Sequence, residues 1–304
     1  MMFGCSMGGL RSIGNSSKVS NSAMMMKISC DDPTPQQSDF DKTIKQLIVC
    51  GPFIDLPVNA CGIFSNVTSL AFYNVEFNCS GSGIASSISI PKLEKLAFGR
   101  CRGIHKFEIS PPKLEMLSVI HFMDGVESRW LAPHLKAIKT LWLCGFSLSG
   151  MDVSVFPTAI NLQVMKLYQL SFGFWKHCVV AMQLLQKCPN LCELRIIAIK
   201  SRGKDDKEAS RLLEDPDSGF VIQELKMLKT IKIELFSDFA LEMLFMKMLL
   251  SKSPALERVV IVKFCGMNAS EVRKIQRELE CFPRASPNAQ IVCAGDYYAS
   301  MHDD

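Results

Sequence analysis

The chain has 304 residues, of which 48% are apolar and 21% are charged, as in an ordinary globular protein with a large core. A net charge of +4 is too small to indicate binding to nucleic acid or to a membrane surface. No apolar run approaches the roughly 18 residues of a membrane-spanning helix, so none is predicted.

Thirteen cysteines are scattered through apolar segments such as "LIVC" and "LWLC". The odd number favours free, buried thiols in a reducing compartment, so a cytoplasmic or nuclear location is predicted. No CxxC occurs, and Cys188 and Cys192 have no histidine at a suitable offset, so no metal site is expected.

Residues 1–40 are rich in Ser, Met and Gly, and the first acidic residue is Asp31. This composition has some likeness to an organellar transit peptide. Because no amphipathic Arg-rich stripe accompanies it, we predict a disordered N-terminal tail instead.

Eight segments then repeat one pattern, with apolar residues at the first, fourth, sixth and ninth places, and a ninth, weaker copy from Ile44 has a proline at its ninth place. Most intervals between them fall in the range of about 20 to 29 residues that leucine-rich repeats have. The fourth and sixth places alternate as the inward side chains of a short strand. One such unit cannot bury its apolar face alone, but stacked units share a continuous core. The first places are Ile44, Val67, Leu93, Leu114, Ile138, Leu162, Leu191, Leu228 and Leu256.

The connections between repeats change along the chain. Between Ile44 and Leu162 we expect short convex loops, in which Pro91 and Pro111–Pro112 set the start of the next repeat. Two of the longer intervals contain helical patterns, at residues 174–187 and 238–252.

Proline follows both helical patterns, at Pro189 and Pro254. In the first, Trp175, Val179, Met182 and Leu185 fall near one face. Ser237 is the predicted N-cap of the second. The longest interval contains "KSRGKDDKEASRLLEDPDSG" near 200–219, which we interpret as a solvated insertion, with a binding loop as the alternative.

The chain approaches its end with "ECFPRASPNAQIVC". Before it, Asn268 and Glu271 have the spacing of a capping box, and Val272, Ile275, Leu279 and Phe282 follow a helical stripe. Pro283 ends that helix and "AQIVC" predicts a last strand, so this segment is expected to close the open end of the repeat stack. Arg284 is expected to bind a helix end or a carboxylate.

From Leu225 onward the sequence resembles the FBD domain of plant F-box/FBD/leucine-rich-repeat proteins. The resemblance depends on "LKTIKIELFSDFALEMLFMKMLLSKSPALERVVIV" and "VRKIQRELECFPRASPNAQIVC". The matching positions are Lys252, Pro254, Leu256, Glu257, Phe282, Arg284, Ala285, Ser286 and Pro287.

The resemblance implies the substrate-receptor part of an SCF-type ubiquitin ligase, in which the repeats recognise a target protein. In that family an N-terminal F-box binds a Skp-type adaptor and so a cullin. Residues 1–40 have no Trp and no Leu-Pro, so no F-box is expected there, and Skp and cullin partners would require one to be supplied. A stand-alone repeat scaffold or a truncated product remains the alternative.

The predicted fold is therefore an α/β, irregular leucine-rich-repeat solenoid, with parallel strands and with loops and helices on its convex side, capped by a C-terminal FBD-like α/β segment. The predicted domains are the tail at 1–40, the solenoid at 41–220, the FBD-like domain at 221–297 and a tail at 298–304.

Protein binding is expected on the concave face, where side chains lie between the inward ones. Aromatic and arginine anchors are frequent there, although neighbouring segments could also cover them. The predicted contact residues are Tyr73, Ile120, Trp142, Lys166, Tyr168, Arg195, Ile197, Lys232, Glu234 and Val262.

The sequence predicts no enzyme and no cofactor. The five histidines, at 105, 121, 134, 177 and 302, fall in no catalytic signature, and no phosphate-binding loop occurs. A small-molecule sensor is a further alternative, and it would need a pocket with convergent polar groups.

Overall fold

The computed structural model describes residues 25–29, 45–51, 65–77, 86–88, 90–109, 111–120, 127–199, 223–237, 239–263 and 266–294. The chain divides into two compact units, unit 1 (residues 1–113) and unit 2 (residues 114–304). None of the helices within the described ranges has the length and apolar character needed to cross a bilayer.

Unit 1 contains a row of four strands in the order β1-β2-β3-β5, and its strands β4 and β6 pair with each other in parallel. In the row, β2, β3 and β5 are parallel, and β1 adds to β2 in the antiparallel sense. The strands are β1 (Met25–Ser29), β2 (Gln46–Cys50), β3 (Ser69–Tyr73), β4 (Ser86–Ile88), β5 (Lys95–Gly99) and β6 (Phe107–Ile109).

Unit 2 contains seven strands, β7 to β13, that pair in chain order and run parallel. The predicted α/β class with parallel, repeat-spaced strands is therefore confirmed. The strands are β7 (Met116–Ile120), β8 (Thr140–Cys144), β9 (Val164–Ser171), β10 (Glu193–Ile199), β11 (Thr230–Phe236), β12 (Arg258–Lys263) and β13 (Gln290–Ala294).

The repeat pattern fixes where the strands begin. Each of the nine repeat strands starts two residues after the first place of its repeat, as β9 starts at Val164 after Leu162. In the eight stronger copies the first, fourth and sixth places are all buried. The repeated apolar places therefore form the core that stacks one repeat on the next.

Backbone hydrogen bonds reinforce this stack at the start of seven of the nine repeat strands. Two successive amides donate to one carbonyl of the preceding repeat, as Cys192 and Glu193 do to the Gln163 carbonyl at 2.8 and 3.0 Å. A turn precedes them, in which the Leu191 amide donates to the Cys188 carbonyl across Pro189. Proline suits the second position of such a turn, so the prolines of the pattern shape the connections.

Five α-helices lie within the described ranges, and the two before Leu162 were not predicted. The sequence indicated only loops before Leu162, but Ser128–Leu135 is a helix with Pro133 inside it. Proline has no amide hydrogen to donate to a carbonyl one turn earlier in a helix. A segment with an internal proline is therefore not predicted as a helix from its sequence pattern. The helices are α1 (Ser128–Leu135), α2 (Gly145–Leu148), α3 (Trp175–Gln186), α4 (Ala240–Lys252) and α5 (Ala269–Cys281).

The two helices predicted from the longer intervals are present as α3 and α4. The prediction of Ser237 as N-cap of α4 is wrong, because the N-cap is Phe239 and makes no side-chain cap bond. Instead, Glu242 in the first turn accepts a hydrogen bond from the Ser237 amide at 2.9 Å. The helix thus secures the preceding loop with its own carboxylate.

The N-terminal prediction also needs correction, because residues 25–29 of the expected disordered tail form β1. The predicted boundary at 220 does not interrupt the sheet, since β10 and β11 pair in parallel over five residues. The insertion near 200–219 and the tail at 298–304 lie outside the described residues.

The ninth place of the repeat is not buried in every copy. Leu170 and Phe236 are buried there, but Phe146 is 48% exposed. The chain turns into α2 directly after β8, and this turn directs Phe146 outward.

Gly145 begins α2 at a close approach of two backbones. A Cβ at this position would lie 2.4 Å from the Gln169 carbonyl oxygen and 2.8 Å from the Leu170 Cα. We therefore expect Gly145→Ala to lower the free energy of unfolding by about 1–3 kcal/mol, measured by urea denaturation. Gly150→Ala is the matched control, because a Cβ there meets nothing within 4 Å. Equal stability of the two variants would contradict this prediction.

The C-terminal segment has the predicted elements. Asn268 and Glu271 form the capping box of α5, and β13 pairs in parallel with β12. Arg284 donates to the backbone carbonyls of Glu280 and Ala289, so it binds a helix end as predicted.

Candidate protein-binding face

Side chains of unit 2 that lie between the inward ones form the open face, which we define as the third, fifth and seventh places of the repeats on β7 to β12, with the residues of β13 that pair with them. Strand alternation directs these side chains away from the apolar core. Most of them are half-buried, as the burial pattern of β10 shows, where Arg195 and Ile197 alternate with the buried Leu194 and Ile196. The predicted contact residues in unit 2 lie on this face.

The fifth places form one continuous row across the strands. Trp142 pairs with Lys166, Lys166 with Arg195, and Arg195 with Lys232. We call these four residues the cation row. Parallel strands lie about 4.8 Å apart, so its three cations span roughly 10 Å. The row continues beyond Lys232 into Val260 and Val292.

Each cation of the row contacts a neighbour on the same face. The Lys166 ammonium lies 4.1 Å from the centroid of the Trp142 ring. This distance is favourable for a cation–π interaction. Arg195 forms an ion pair with Glu193, and the Lys232 Nζ lies 2.9 Å from the Glu234 carboxylate. Contacts with neighbouring side chains therefore hold the three cations of the row in position before any partner binds.

Side chains at the seventh places of the repeats are less exposed to solvent than was predicted. Tyr168 and Ile197 are half-buried and adjacent on paired strands. Glu234 is only 9% exposed and Val262 only 2%. The expectation that Val262 lines the binding surface is therefore wrong, and Glu234 is a buried counterion of Lys232. Ile120, at the end of β7, is half-buried.

Tyr73 lies in unit 1, on β3. It is 38% exposed, and its ring lies against Gly99 on the neighbouring strand, where an added Cβ would come within 2.5 Å of the ring. The ring thus covers the place that a side chain would otherwise fill.

Sequence reasoning missed Glu193. It lies at the third place of its repeat, two residues before Arg195, and therefore on the same strand face. This alternation of opposite charges was visible in the sequence, because side chains at i and i+2 of a strand are neighbours.

A thiol-dependent enzyme would need a reactive cysteine beside a histidine. Burial raises the pKa of Cys101 to about 11 and that of Cys188 to about 12, and it raises the pKa of Cys178 further. Such thiols are poor nucleophiles. Within the described residues, no three potential ligand side chains come together as a metal site.

One serine–histidine pair occurs away from the open face. The Ser149 Oγ and the His177 Nε2 are 2.6 Å apart. His177 is 3% exposed, and its Nδ1 has no hydrogen-bond partner among the described residues. A catalytic pair requires a third group that orients the imidazole, so this pair is interpreted as a contact between α2 and α3.

Burial of His177 predicts that the free energy of unfolding depends on pH. Desolvation lowers its pKa below the usual value of about 6.5, so the unfolded chain binds a proton more readily than the folded chain. The stability that the protein has with a neutral, buried His177 is therefore complete above about pH 6.5. It is lost as the pH falls through the pKa of His177 in the folded chain. We expect His177→Gln to reduce the difference in unfolding free energy between pH 8 and pH 5, measured by urea denaturation.

The exposed His105 provides the control for this measurement, since His105→Gln should leave that difference unchanged. If both variants retain the full difference, burial of His177 does not cause it. Burial also lowers the pKa of His134, so part of the difference will persist in His177→Gln.

No family model matches the chain. The chain is similar to an F-box/FBD/LRR-repeat protein of Arabidopsis thaliana, with 26% identity over 275 residues. The match covers 83% of this chain and 61% of the relative. It extends well beyond the C-terminal segment whose residues carried the resemblance, and it therefore includes the repeats.

Proposed function

Since the chain resembles the plant F-box/FBD/leucine-rich-repeat proteins, we propose that it is a protein-recognition module that binds a target protein on the open face of unit 2. The observation that carries this proposal is the cation row beside Tyr168 and Ile197. These side chains are half-buried on paired strands. Aromatic and arginine residues in such settings are frequent anchors of protein interfaces.

The geometry of the face supports recognition in a second way. Its strands are held in register by the repeat core, so the anchors occupy fixed positions before a partner arrives. Binding then requires little ordering of side chains, which is a main cost of association. The face is thus suited to a partner of defined shape.

We further propose that target binding serves ubiquitin-dependent turnover, as in the substrate-receptor part of an SCF-type ligase. The proposal is supported by the similarity to the Arabidopsis protein. A stand-alone recognition scaffold that engages no ligase is the alternative, and the two differ only in what the chain binds besides its target.

The recognition proposal is tested by affinity purification from plant extract with the wild-type chain and with a Trp142→Ala, Arg195→Ala variant. We expect at least one protein to bind the wild-type chain directly and to be lost with the variant. Phe146→Ala removes an exposed aromatic outside the open face and is the matched control. Equal recovery of every bound protein with all three chains would refute recognition at this face.

The ligase proposal is tested separately, with a Skp-type adaptor and a cullin as the readout of the same purification. Their recovery with this chain would support a receptor role. If neither is recovered while open-face targets are, the chain acts as a recognition scaffold.

A further inference from the structure

We propose that two copies of this chain pair through the outer edge of β13, as antiparallel strands related by a twofold axis at Val292. The partner at this edge is thus a second copy of the chain and not a target protein. The inference goes beyond the proposed function and does not depend on it. It follows from the backbone, burial and charges of α5 and β13.

The outer edge of β13 carries backbone groups that β12 does not use. On the inner side, β13 pairs with β12, and the Gln290 amide donates to the Glu257 carbonyl at 2.9 Å. Backbone groups of successive strand residues point to opposite sides, so those of Ile291 and Cys293 face away from β12. Among the strands that the structure describes, none pairs with this side of β13. An unpaired edge of this kind is a template for another strand.

The edge has none of the sequence features by which monomeric proteins protect an unpaired strand. Such strands often contain lysine, proline or a bulge, whereas β13 reads QIVCA and pairs in unbroken register with β12. Ile291 and Cys293 point toward the core but are only half-buried. Their neighbours on β12, Val259 and Ile261, are at most 2% exposed. On the open face Val292 is 37% exposed, so a further strand would bury side chains on both faces of β13.

The edge is complementary to itself. An antiparallel copy with the twofold axis at Val292 places Ile291 opposite Cys293 of the second copy. The backbone groups of these residues point outward, so each such pair can exchange both of its hydrogen bonds. Val292 then faces its own copy in a non-hydrogen-bonded pair, where Cα atoms approach to about 4.5 Å. Valine suits this place, because β-branched side chains pack well across neighbouring strands.

Helix α5 adds complementary charges beside the edge. Arg273, Gln276 and Glu280 fall on one flank of the helix, and the Gln276 side-chain amide donates to the Glu280 carboxylate at 3.1 Å. This flank lies near β13, since burial raises the pKa of the Cys293 thiol and the Glu280 charge raises it further. Arg273 and Glu280 are both exposed. The basic residue begins the flank and the acidic residue ends it, so an antiparallel copy brings unlike charges together.

The heights of the helix and the strand agree with the same axis. Arg284 donates to the Glu280 and Ala289 carbonyls, so α5 ends at the height where β13 begins. The midpoint between Arg273 and Glu280 lies roughly 7 Å before the end of α5, at ~1.5 Å per residue. Val292 lies roughly 7 Å into β13, at ~3.3 Å per residue. One axis can therefore pair the strands and place Arg273 near Glu280 of the second copy.

The paired copies would present two open faces. A twofold axis through an antiparallel strand pair is perpendicular to the sheet, so both open faces point to the same side. A target with two equal binding segments could then contact both copies, which raises its apparent affinity without any new contact.

The test measures the mass of the full chain in solution over a range of concentrations, by sedimentation equilibrium. The chain has a mass of 33.9 kDa. Because only one strand and one helix flank meet, we expect a weak dimer, whose average mass rises toward twice this value between about 5 and about 500 μM. A reducing agent is present throughout, so that no disulfide between copies contributes.

A lysine at the axis tests the strand pairing. Val292→Lys places two ammonium groups opposite each other and should raise the dissociation constant about tenfold or more. Val292 is part-exposed, so the change should leave the fold intact. Met227→Lys is the matched control, because Met227 is 43% exposed on a turn outside β13, and it should change nothing.

A charge reversal tests the position of the axis from the helix side. Arg273→Glu and Glu280→Arg should each weaken the dimer about three- to tenfold, because each brings like charges together between the copies. The double variant restores unlike charges and should return the dissociation constant to near its wild-type value. A merely structural role of either residue within α5 would not produce this recovery.

The outcomes separate the possible occupants of the edge. A monomer at every concentration would overturn the inference and would leave the edge to another segment of the chain or to a different protein. A dimer that Val292→Lys does not weaken would also overturn it, because another surface would then join the copies. Loss without recovery in the double charge variant would contradict the axis at Val292. None of these results bears on recognition at the open face, whose variants leave β13 unchanged.

Discussion

Removal of residues 265–304 is expected to abolish soluble, cooperative folding of the chain. The deletion removes α5 and β13 and so exposes the edge of β12 along its five paired residues. It also uncovers Val259 and Ile261, whose burial is nearly complete. An unpaired edge next to an exposed apolar core is a template for aggregation. Solubility after expression and size-exclusion chromatography provide the measurement.

A chain that ends at Ala294 is the control, because it retains β13 and should stay soluble. A soluble, monomeric deletion of 265–304 with a single sharp unfolding transition would contradict the capping role. Ser286→Ala tests the same capping role with a smaller change than the deletion. The Ser286 hydroxyl donates to the buried Leu256 carbonyl at 2.6 Å, so its loss should cost about 1–3 kcal/mol of unfolding free energy.

These contacts explain the most specific part of the family resemblance in physical terms. The Ala285 amide donates to the Leu250 carbonyl at the end of α4, and Ser286 secures the start of β12. Arg284 closes the last turn of α5. The "RASP" stretch therefore joins two helix ends to one strand, and this role is structural.

Much of the sheet could be predicted because the spacing of the repeats also sets the register in which neighbouring strands pair. Each repeat strand begins at the same offset, so equal places in successive repeats become neighbours across the sheet. Trp142, Lys166, Arg195 and Lys232 all occupy the fifth place of their repeats. Their places in the repeats therefore predicted that they lie side by side in the sheet, as the cation row on which the recognition proposal rests.

Features that break the period could not be predicted in this way. Pro133 concealed α1, and the immediate turn from β8 into α2 placed Phe146 outside the core. The burial of Glu234 and Val262 depends on what covers the seventh places, which strand alternation does not specify. Alternation decides which way a side chain points, and only the surrounding chain decides how much solvent reaches it.

The aromatic cluster of unit 1 should be as sensitive as the C-terminal cap. Phe72, Phe77 and Phe98 are each at most 3% exposed, with ring centroids between 5.3 and 5.9 Å apart. Phe72 and Phe98 stack across β3 and β5, and Phe77 meets both edge-on. Phe98→Ala would leave a cavity at the centre, which costs about 3–5 kcal/mol.

Hydrogen exchange can locate this loss, because each repeat is stabilised mainly by its neighbours. We expect Phe98→Ala to raise exchange rates in β2, β3 and β5 by at least a hundredfold, which about 3 kcal/mol implies. Phe146→Ala removes the same atoms from a half-exposed site and should change stability by less than about 0.5 kcal/mol. Unchanged protection of β3 and β5 in Phe98→Ala would show that the three rings do not hold these strands together.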